Sequence, residues 1–71
     1  MGKILYRVFA HQLKKELSNL LNKEVDVVLA NNSVLHGVIL KTSETELVLR
    51  NSVRNKTVIA LSEIQEILFT S

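Results

Sequence analysis

The chain has 71 residues, no cysteine, no proline and a formal net charge of +2, with 46% apolar residues. That is one domain near the lower size limit for a self-supporting core; disulfides and cysteine-ligated metals are excluded, and the apolar content argues against disorder. No apolar run reaches the roughly 18–20 residues of a membrane span, and no secretory signal precedes the domain, so the expected location is the cytoplasm.

The first predicted element is a helix over about residues 5–22. Leu5, Phe9, Leu13, Leu17, Leu20 and Leu21 recur at steps of four, four, four, three and one, the spacing of one helix face, while Lys14, Lys15 and Asn19 fall off it. Residues 1–23 carry Lys3, Arg7, Lys14, Lys15 and Lys23 against Glu16 alone. A basic segment on a mildly acidic body points to an anionic partner, or to an ordinary solvated helix face.

Beyond residue 23 the pattern turns strand-like. The stretches 24–30 (EVDVVLA), 34–41 (VLHGVILK), 46–51 (ELVLRN), 57–61 (TVIAL) and 64–70 (IQEILFT) are five short strands. Asn31-Asn32-Ser33 supplies a tight turn, because asparagine tolerates positive φ. Residues 42–45 and 52–56 are polar turns, and Ser62-Glu63 is a very short link. Gly37 stands in the middle of the second strand, where glycine costs stability unless the chain must bend sharply or another backbone must come close. The expected fold is therefore mainly β with one N-terminal α-helix, a single domain over 1–71. Its five-stranded, strongly bent antiparallel sheet over about 24–70 forms a small open barrel.

Nothing in the sequence has the makings of an active site. It has no cysteine nucleophile, no His-x-x-x-His pair, no glycine-rich phosphate loop and no paired carboxylates at a telling spacing. Neither a catalytic function, a metal nor a cofactor is expected.

A helix followed by five strands with a bend glycine in the second resembles the Sm-like (LSm) family, which includes the bacterial RNA chaperone Hfq. The resemblance spans about residues 8–69. It rests on NKEVDVVLANNSVLHGVILKTSETELVLRN for the first Sm motif and KTVIALSEIQEIL for the second. It implies a homo-oligomeric ring of five to seven subunits, in which strand 57–61 of one copy pairs with strand 64–70 of the next. It also implies binding of single-stranded or U-rich RNA by the loop after the second strand and by the link before the last. On that alignment the loop's usual Asp is Ser43, its stacking position is Thr45, and the Tyr-Lys-His triplet of Hfq falls on Ala60-Leu61-Ser62.

The RNA-contact candidates that remain are Lys41, Thr42, Ser43, Thr45 and Ser62 around the loop and link. His36 is added on the strand face, with Arg54 and Lys56 at the third hairpin. Hydroxyls can bond base edges, cations can reach phosphates, and a histidine can stack. The same small-barrel pattern also resembles the C-terminal domain of the ribosome maturation factor RimP. That resemblance implies a protein-binding module; a ring scaffold without RNA binding is a third reading.

Overall fold

The computed structural model describes residues 4–51 and 55–70. Strand β1 runs Leu5–Phe9, followed by a 3-10 turn at Ala10–Gln12 and helix α1 at Leu13–Leu20. Five strands follow: β2 (Glu24–Leu29), β3 (Val34–Thr42), β4 (Glu46–Arg50), β5 (Lys56–Ala60) and β6 (Ile64–Thr70), with a second 3-10 turn at Leu61–Glu63. All pair antiparallel in one sheet of order β1-β6-β2-β3-β4-β5.

The five strands expected beyond residue 23 are present within a residue or so of their expected ends. The helix expected over 5–22 is not. Its first third is a sixth strand, and only Leu13–Leu20 is helical. The physical reason is that a step of four is even. Leu5 and Phe9 share one face of a strand as well as one face of a helix. The intervening Tyr6 and Val8 are strand formers, and pairing with β6 satisfies backbone groups that an open β6 edge would leave bare. Val8 is buried opposite Ile67, whereas Leu5 and Phe9, expected to help anchor the helix, are exposed. The sheet is also not closed. β1 and β5 are its two edges, so the expected five-stranded barrel gives way to a bent six-stranded sheet.

The core is made by alternation. Val25, Val27, Ile39, Leu47, Leu49, Ile59, Ile64 and Ile67 point to one side of the sheet and are buried there. Leu13, Leu17 and Leu20 of α1 pack into the same cluster. Each buried leucine contributes about 1.5–3 kcal/mol, which is what keeps an eight-residue helix folded when such a helix is unstable alone. The helix ends in a turn at Leu21-Asn22: Lys23 N–H donates to the Leu20 carbonyl at 3.0 Å, and Asn22 takes the left-handed φ of 65° that asparagine tolerates. Asn32 does the same between β2 and β3, with φ 69°.

Gly37 explains itself in this frame. A β-carbon there would lie 2.4 Å from the carbonyl oxygen of Arg50 and 2.9 Å from its carbon. β4 crosses the core side of β3 so closely that only glycine fits. A bulge between Ile39 and Lys41 adds to the bend by inserting an extra residue opposite β4.

Candidate functional site

The bend in β3 and the 3-10 turn before β6 bring two distant loops together. Leu61 N–H donates to the Thr45 carbonyl at 2.9 Å, which locks the β3–β4 loop to the β5–β6 link. Between this pair of loops and α1 runs a groove made of two adjoining hollows of about 450 and 510 Å³. Thr45 and Ser62 line the first, Thr42 and Ser43 the second, and Lys14 and Glu44 border both. The floor is apolar: Leu13, Leu61 and Ile64 at one end, Leu17 at the other.

Four of the expected contact residues therefore converge, and one of them is already committed. The Ser43 hydroxyl accepts from Thr45 N–H at 3.3 Å and Glu46 N–H at 3.1 Å, and lies 3.1 Å from the Glu46 carbonyl, to which it donates. Ser43 is thus the turn former of this loop. Thr42, Thr45 and Ser62 carry hydroxyls without such ties. Lys14, assigned from sequence to the solvated side of a helix, makes no ion pair among the described residues. It supplies the groove's cation. Its signal in the sequence was the basic N-terminal segment, but nothing there placed it beside a loop 28 or more residues away.

The other candidates lie elsewhere. Lys41 is exposed opposite Val48 and borders neither hollow. Lys56 starts β5, facing Arg50 in register, at the far end from the groove, about 13 Å away by strand rise. Arg54 lies outside the described residues.

His36 is exposed on the outer face of the sheet, where alternation put it, but it is occupied. Its Nδ1 contacts the Asp26 carboxylate on the paired strand, and its Nε2 lies 3.6 Å from Glu24. The hydrogen bond to Asp26, aided by the charges of both carboxylates, raises the imidazole above its ordinary value of 6.5. Two carboxylates beside it make this spot a poor one for a phosphate. Among the described residues, no group of three His, Cys, Asp or Glu side chains is placed to hold a metal ion, and no helix is long and apolar enough to cross a membrane.

Cross-strand pairs fasten β1 on both faces of the sheet, Arg7 on the outer face and Tyr6 on the core side. Arg7 on β1 bonds Glu66 on β6 at 3.3 Å, and Tyr6 stacks on Phe69 at 5.2 Å. The Lys23 ammonium stands 5.3 Å from the Phe69 ring. These contacts hold β1 along β6, so both edges of β6 are paired within one chain.

Compared with known protein families and with curated proteins, the chain matches none.

Proposed function

We propose that this chain is a non-catalytic Sm-like module that holds single-stranded RNA in the groove between α1 and the two locked loops, and that it works as a homo-oligomeric ring. One observation carries the reading. The loop after β3 and the link before β6, the two segments on which RNA binding depends in the resembling family, are tied by the Leu61–Thr45 hydrogen bond into one hydroxyl-bearing wall facing Lys14. Thr42, Thr45 and Ser62 offer donors and acceptors to base edges, Lys14 meets a phosphate, and the apolar floor receives the flat face of a base. The test is an NMR titration of labelled protein with a short oligo-U. The reading requires shifts at the amides of Lys14, Thr42, Thr45 and Ser62, and an unchanged spectrum refutes it.

A protein-binding module is the second reading, and one feature favours it. The groove sets Glu44 against Lys14 and, among the described residues, has no aromatic side chain, a balance closer to a peptide groove than to an RNA track.

A further inference from the structure

The sheet has two open edges of the same length, five residues in β1 and five in β5, and both carry exposed apolar side chains. Leu5 and Val58 are each 59% exposed, and Phe9 is 43% exposed. Among the described residues, no strand pairs with the outer side of either. Open, apolar edges of this kind are templates for another strand.

From this we infer that copies of the chain join head to tail, β1 of one along β5 of the next. This deepens the homo-oligomeric part of the proposed function and moves its seam. The pairing of 57–61 with 64–70 of a neighbour would need β6 stripped of β1, whereas β1 itself is free to pair.

Three features favour this seam over its alternatives. Direction fits, because six alternately directed strands leave β1 and β5 antiparallel where one copy's sheet continues into the next. The pleat fits as well. With full overlap, Tyr6 and Val8 on the core side meet Ile59 and Thr57, while on the outer face Arg7 meets Val58 and Phe9 meets Lys56, a cation over an aromatic ring. Charge disfavours the twofold alternative on β1, where full overlap sets Arg7 directly against Arg7 of the other copy. A twofold pairing of β5 with β5 has no such clash, but it leaves β1 bare in every copy. Only the head-to-tail contact covers both edges with one interface, and a contact of that type propagates into a ring where its rotation closes and into an open filament where it does not.

The test uses two variants of the full chain, each blocking one edge at exposed positions: Leu5→Lys with Phe9→Lys on β1, and Val58→Lys on β5. Circular dichroism and thermal unfolding establish that each is folded. Groove residues are untouched in both, so RNA binding is read separately. Native mass spectrometry is expected to give a closed oligomer for the unaltered chain and monomers for each variant alone. An equimolar mixture should give a one-to-one dimer, because the intact β5 of the first variant meets the intact β1 of the second and growth stops there. A dimer of either variant alone means twofold pairing and overturns the proposal. An oligomer that survives both blocks refutes the seam but leaves the ring standing, and a monomeric unaltered chain refutes both.

Discussion

Gly37 and Arg50 approach each other too closely for even one methyl group to stand between them: a β-carbon on Gly37 would lie 2.4 Å from the Arg50 carbonyl oxygen. The obstacle is backbone, which cannot rotate aside as a flexible side chain would. Gly37→Ala should therefore force β3 and β4 apart at the sharpest part of the sheet, with a cost of about 1–3 kcal/mol. Urea unfolding measures it, and a midpoint equal to that of the unaltered chain would mean that the two strands do not cross so closely.

His36 gives stability a pH dependence. Its folded value is raised above 6.5 by Asp26 first and by Glu24 in addition. A raised value means that the folded chain holds the proton more tightly than the unfolded one. The contribution is fully present below pH 6.5 and is lost as pH rises through the raised folded value. The group is exposed, so the effect is small. Melting temperatures followed across neutral pH should fall more for the unaltered chain than for His36→Gln; parallel curves would show that the ion pair contributes nothing.

Ser43 is a test of the line between structure and site. Its hydroxyl bonds three backbone groups of its own turn. Ser43→Ala should lower stability by about 1 kcal/mol and leave RNA affinity within a factor of two of its starting value. Thr45→Val keeps shape and removes the hydroxyl of a groove-lining residue, so it should weaken binding with little change in stability. Comparing the two by unfolding and by binding separates the roles; equal losses of affinity would make Ser43 a contact after all.

The strands of the sheet were legible because alternation, turn asparagines and a lone strand glycine each have a local physical cause. Asn32 at positive φ and Gly37 against Arg50 are where such causes place them. Residues 5–9 were not legible, because leucine and phenylalanine four apart satisfy both periods; what decided between them was the open edge of β6, nearly 60 residues along the chain. The site was half legible for the same reason. Thr42, Ser43, Thr45 and Ser62 lie in loops that the strand order implies. The occupation of Ser43 is local, a turn former bonded to its own turn, but the occupation of His36 by Asp26 and the arrival of Lys14 beside Glu44 depend on how β2 and α1 pack, which no local pattern encodes.

The measurement that tests the central claim most directly is fluorescence anisotropy of a labelled oligo-U against the protein and against Lys14→Ala, across a series of salt concentrations. RNA held in the groove predicts saturable binding that weakens steeply with salt. Loss of the Lys14 cation should lower affinity several-fold and reduce the slope of log affinity against log salt by about 0.7, the release of one phosphate contact on a single strand. No binding at low salt, or identical curves for the two proteins, would contradict the account.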